Sequence, residues 1–93
     1  MSLEELTNKY IGSAERVLKE LQKTQMPIAM KEAAVSDVLS WAANYLEDAK
    51  YYRLEGKLET SLTSVAYCEG LLDALRLLDA VKFEWPTSQG KER

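Results

Sequence analysis

Between Pro27 and the dipeptide Trp85-Pro86, one glycine in a turn context, Gly56, interrupts two long helical patterns. That single break constrains the chain more than any other feature. Gly56 fits a left-handed cap, because glycine alone enters positive φ without a Cβ penalty. A connection of one or two residues at Gly56-Lys57 leaves no room for a crossover. The segments on either side must therefore run antiparallel as neighbours.

The first of these segments is predicted as a helix over 27–55, with Pro27 in its first turn. Its apolar stripe is Ala34, Val35, Val38, Leu39, Trp41, Ala42, Tyr45, Leu46, Ala49 and Tyr52. It covers roughly 160° of the helical wheel, wide enough to touch two neighbours, and Trp41 at its edge is expected in the core. The second is predicted over 57–84. Leu58, Leu62, Val65 and Ala66 share a face, and from Tyr67 onward apolar residues go nearly all round the helix. In so short a domain, one side of that region is expected to lack cover from its own chain. Trp85-Pro86 ends the pattern, since a residue preceding proline avoids helical geometry.

Upstream, Leu3, Leu6, Tyr10, Ala14, Val17, Leu18 and Leu21 recur at steps of three and four, one stripe on a helix expected over 2–23. Ser2 and Glu5 fit a capping box, and acids early with bases late suit the helix dipole. No segment alternates as a strand does. The expected fold is all-α, an up-and-down three-helix bundle forming one domain over 1–86, followed by a short frayed polar tail over 87–93.

Function classes fall away by subtraction. The chain contains no histidine. Ser-His-Asp and Cys-His catalysis, zincins, zinc fingers and His-dependent nucleases are excluded with it. Diiron bundles need Glu-x-x-His pairs, which are missing. The single cysteine, Cys68, has no partner for an intrachain disulfide and no histidine to activate it. A small core residue is the expected role, and a reducing cytoplasm is the expected compartment. Twelve basic against fifteen acidic residues give a net charge of −3, and the bases are interleaved with acids. Nucleic-acid binding is not expected, nor is a membrane span or a cofactor. Phosphate loops of the GxxxxGK[ST] or GxGxxG type do not occur.

Two constellations remain. Glu69, Asp73 and Arg76 stand at steps of four and three on one helix face, and Asp48 lies at the border of the preceding stripe beside Tyr45 and Tyr52. The carboxylates Asp48, Glu69 and Asp73 form a weak metal or small-ligand set; the competing expectation is an ion-pair set with Arg76 satisfying the acids. The second constellation is apolar: Leu71, Leu75, Leu77, Leu78 and Val81, with Phe83 and Trp85 at the end. These residues are candidates for contact with a protein partner or a second copy, a homodimer through the third helix, while Phe83 and Trp85 either fold back or dock a partner. Gly70 inside the third helix is expected to mark close helix–helix contact.

The runs Tyr45-Leu46-Glu47-Asp48-Ala49-Lys50-Tyr51-Tyr52, Glu55-Gly56-Lys57 and Ala66-Tyr67-Cys68-Glu69-Gly70-Leu71-Leu72-Asp73-Ala74-Leu75-Arg76 resemble the archaeal domain-of-unknown-function family 357. Its members combine a tyrosine-rich Y-x-x-D-A helix, an acidic-Gly turn and a Y-A-E-G-L-L-D-A helix. The resemblance covers the second and third helices, with Cys68 where alanine is expected. It implies a small helical bundle from an archaeal cytoplasm with no established activity. Some relatives are joined to nucleotidyltransferase-like domains, which implies an accessory or regulatory role beside a nucleotide-handling enzyme. From the residues, the first expectation is a non-enzymatic helical interaction or oligomerisation module.

Overall fold

A computed structural model describes residues 2–23 and 29–86. They form three helices and no strand: α1 (Leu3–Glu20), α2 (Glu32–Leu54) and α3 (Leu58–Leu77). The expected all-α, three-helix architecture is present. The frayed tail at 87–93 and the first-turn position of Pro27 lie outside the described residues.

α2 and α3 form an antiparallel hairpin. On α2 the positions turned inward are Val35, Val38, Ala42, Tyr45, Ala49 and Tyr52, alternating steps of three and four as in a coiled-coil seam. On α3 the series Ser61, Val65, Cys68, Leu72 and Leu75 does the same. The most buried residues, Ala42, Ala49, Cys68 and Leu75, fall on these two seams. Alanine at both α2 positions lets the helices approach closely. The Ser61 hydroxyl donates to the Ala49 carbonyl oxygen at 2.6 Å, a bond that a larger residue between the backbones would prevent.

Both hairpin helices stop in the same way. Gly56 has φ +77°; its N–H donates to Arg53 O, and the Lys57 N–H donates to Tyr52 O. This is a Schellman motif. The end of α3 repeats it with an aspartate: Asp79 has φ +60°, its N–H donates to Arg76 O, and the Ala80 N–H donates to Leu75 O. The expected helix to residue 84 is therefore seven residues too long. Aspartate enters the left-handed region more readily than most residues with a Cβ, but it carries no helix-stop signal as plain as glycine's.

The expected first helix is also too long, since α1 ends at Glu20 and not at residue 23, and the expected second helix begins too early. Ala29 and Met30 are not helical, and the helix begins at Glu32. Ala49 sits level with Ser61, so residues before about 33 would lie level with residues beyond the end of α3. A helix draws most of its stability from a packed face, and α3 offers no helical face beyond Leu77.

α1 begins with the capping box: Ser2 Oγ accepts from the Glu5 N–H at 3.1 Å, and Glu5 Oε1 accepts from the Ser2 N–H at 3.3 Å. Its relation to the hairpin is loose. Among the described residues, no Cα of α1 lies within 8 Å of a Cα of α2 or α3, and α1 has no buried residue.

Gly70 is exposed, and a Cβ built there meets nothing within 4 Å. The close helix contact expected at this glycine does not exist. Its cost to α3 is consequently uncompensated. Gly70→Ala is expected to stabilise the fold by about 1 kcal/mol, through lower backbone entropy in the unfolded chain, read as an upward shift in the thermal midpoint.

Candidate functional site

The acid–base group at the end of α3 is assembled by helix spacing and then closed by the chain that follows it. Asp73 and Arg76 are one turn apart, so the Arg76 guanidinium reaches Asp73 Oδ1 through Nε at 3.2 Å and Nη2 at 3.0 Å. After the turn at Asp79, Phe83 and Trp85 fold back. The indole N–H of Trp85 donates to the same Oδ1 at 2.8 Å. Phe83 meets Trp85 edge-to-face, with ring centroids 5.0 Å apart, and the Arg76 guanidinium lies 5.8 Å from the Phe83 ring centroid. Of the two expectations for Phe83 and Trp85, folding back is the one observed.

This group is a clamp. Asp73 is committed to Arg76 and Trp85 through one oxygen. Asp48 is exposed on α2 and level with about Leu62, which puts Glu69 and Asp73 roughly 10 Å and 16 Å further along the hairpin. The three carboxylates do not converge. Among the described residues no group of three or more His, Cys, Asp or Glu side chains is placed to hold a metal ion.

The Asp73–Arg76 pair is partly exposed and is worth little by itself; the indole bond to a carboxylate carries more of the clamp. Asp73→Ala is expected to cost about 1 kcal/mol and to free Trp85. Measured in a Trp41→Phe background, Trp85 emission should move to the red and become more accessible to acrylamide.

Cys68 faces the α2–α3 seam. Burial, followed by the nearby charge of Glu69, pushes its thiol pKa up, so the protonated form persists at neutral pH. It is a core residue. Its reaction with a disulfide reagent is expected to be at least tenfold slower in the native protein than in urea.

The apolar candidates divide. Leu75 is buried at 4% exposure and belongs to the hairpin core; it is unavailable to a partner. Leu77 and Leu78 are exposed. Val81 and Phe83 line a shallow depression with Arg76 and Lys82. Leu71 joins Val38, Trp41, Tyr45 and Tyr67 around an open groove of about 310 Å³ on one side of the hairpin.

The sequence does not disclose that groove as a unit, because the stripe of α2 places Trp41 in the core. Trp41 is instead 60% exposed, its ring 6.3 Å from that of Tyr45. Tyr45 stacks on Tyr67 across the helices at 4.3 Å between centroids. The Tyr45 hydroxyl pKa is raised, first by desolvation, then by Tyr67 and Asp48. Level matching along an antiparallel hairpin, with residue 49 opposite residue 61, brings 45 opposite 65–67. It was the available signal.

A second crevice, about 600 Å³, lies between α1 and the start of α3. Leu3, Leu6 and Tyr10 face Glu59, Thr60, Thr63 and Tyr67 across it. The other apolar residues of α1 stay open; Leu18 is 72% exposed. Among the described residues no helix is long and apolar enough to cross a membrane.

A family model described as Protein of unknown function (DUF357) matches residues 9–81. The chain belongs to this family. The match takes in α2, α3 and all but the first turns of α1, and so reaches further than the hairpin motifs alone. No curated protein and no solved structure matches the chain.

Proposed function

We propose that this DUF357 chain is a non-enzymatic helical module that works by pairing apolar helical surfaces with another polypeptide. The observation that carries this reading is the mismatch between amphipathic sequence and cover. α1 has a complete apolar stripe and no buried residue, and the hairpin has an open aromatic groove at Trp41, Tyr45 and Tyr67. Large exposed aromatic and aliphatic surfaces are characteristic of binding sites.

Photo-crosslinking tests it. A benzoylphenylalanine replacing Trp41 in the native host cell should give a covalent adduct with a polypeptide. The same group replacing Lys50, exposed in a salt bridge with Glu47, should not. Equal yields at the two positions, or no polypeptide adduct at either, would defeat the reading.

A further inference from the structure

We propose that α1 is a lid over the aromatic groove of its own chain. Its first turns face α3, its C-terminal half stands open in this structure, and closure along α3 lays Ala14, Val17 and Leu21 over the groove that Trp41, Tyr45 and Tyr67 line. The proposal rests on the interaction-module reading for what the lid uncovers, and adds how access to that surface is controlled.

Tyr67 ties the two surfaces together. It lines the crevice in which Leu3, Leu6 and Tyr10 face Glu59, Thr60 and Thr63, and it also walls the groove. The groove therefore continues a surface that the α1 stripe already faces. The spacing fits as well. Leu3, Leu6 and Tyr10 stand at steps of three and four, as do Thr60, Thr63 and Tyr67. Continued by four, three and four, α1 presents Ala14, Val17 and Leu21, and α3 presents Leu71, Ala74 and Leu78. A parallel α1 keeps these two faces opposed along its whole length. Ala14 to Leu21 spans two helical turns, and so does Val38 to Tyr45 on the far wall of the groove. A groove of that length is small for a separate chain, whereas a helix tethered beside it meets it at high effective concentration.

Chain connectivity selects the same arrangement. With Ala49 level with Ser61, Glu32 at the start of α2 is level with Leu78, just past the end of α3. The closed register brings Glu20, the last residue of α1, level with Leu77. Residues 21–31 then join two neighbouring helix ends. The other flank of α3 is already taken, since Asp73 holds Arg76 and Trp85 there. The open form also has a cause in the residues. The part of α3 that α1 faces is polar at Glu59, Thr60 and Thr63, and the apolar positions begin only at Tyr67. The gain from burial therefore lies in the half of α1 whose Val17, Leu18 and Leu21 are exposed. Gly12-Ser13 stands between the two halves. A Cβ at Gly12 would meet nothing within 4 Å, so no contact requires this glycine, and Gly/Ser pairs are places where helices bend.

Disulfide trapping in the full chain tests the lid, with Cys68→Ala and Trp85→Phe removing the native thiol and the second tryptophan. Val17→Cys with Ala74→Cys places thiols at two exposed positions that closure opposes. Lys19→Cys with Ala74→Cys is the control, nearly the same distance along the chain but on the outer face of α1. Circular dichroism confirms that both reduced pairs keep their helices. In dilute protein with oxidised glutathione, the first pair should close an intrachain disulfide at least about tenfold faster than the control. Acrylamide quenching of Trp41 should then fall about threefold relative to the same chain reduced, as α1 covers the ring. Equal rates in the two pairs, a disulfide formed only between chains, or a trapped chain whose Trp41 stays as accessible as in the reduced one would overturn the lid. Each of these leaves the interaction reading to the Trp41 crosslink in cells. A trapped lid that covers Trp41, with no polypeptide adduct in cells, would leave closure standing and remove the interaction reading.

Discussion

Leu75→Ala is expected to lower the stability of the protein by about 3 kcal/mol, the largest loss of any single truncation in the hairpin. Leu75 is the one large side chain among the four most buried residues; Ala42, Ala49 and Cys68 are small. The interior is therefore thin, and few neighbours can move in to fill a void left by the isobutyl group. The cost combines lost transfer free energy with an uncollapsed cavity. A chain of this length has about 5–14 kcal/mol of stability in total, so a thermal midpoint some 15 °C lower is expected. Leu77→Ala is the control. Two residues further along α3 and 73% exposed, it should change stability by no more than about 0.5 kcal/mol. Equal losses at the two positions would show that the seam has been placed on the wrong face.

The opposite change at the opposite helix tests the same seam. Ala42→Leu is expected to cost about 2–3 kcal/mol by overpacking, although leucine is the more hydrophobic residue and a good helix former. Ala42 is 2% exposed, in a helix pair close enough for the Ser61 hydroxyl to reach the Ala49 carbonyl at 2.6 Å. Three added carbons must push the backbones apart, and Tyr45 and Tyr67, stacked one turn away, would separate with them. In urea titration the midpoint should fall while the slope remains unchanged. Ala43→Leu, on the exposed neighbour, should be close to neutral.

These predictions use a register that the sequence only partly disclosed. The amphipathic stripes, the capping box at Ser2 and Glu5, and the turn at Gly56 were all legible, because each depends on residues within one or two turns of each other. The end of α3 is not legible because an aspartate, not a glycine, takes the left-handed position. The start of α2 is not legible because it depends on where α3 ends. Leu75 and Trp41 were exchanged in role: the leucine expected at an interface is core, and the tryptophan expected in the core rims the groove. A helical wheel ranks faces by hydrophobicity, and both residues lie on broad apolar faces. Which edge of such a face is covered depends on the neighbour's position and distance.

The polar candidates divide along the same line. Asp73 and Arg76 pair at a spacing of three, as the spacing predicts. The third member of that cluster, Trp85, comes from beyond the helix, and it arrives only because the chain reverses at Asp79.

By itself, then, the sequence determined three helices, the antiparallel sense of the last two, and the exclusion of histidine chemistry. Helix periodicity, caps and composition are local properties of the chain, set by 3.6 residues per turn and by the reach of a side chain. The tertiary structure alone decided which apolar residues are core, that α1 stands uncovered beside the hairpin, and that Trp41, Tyr45 and Tyr67 line an open groove. Burial is a relation between segments distant in sequence. It is set here by the close approach that Ala42 and Ala49 permit between α2 and α3, with no counterpart at α1.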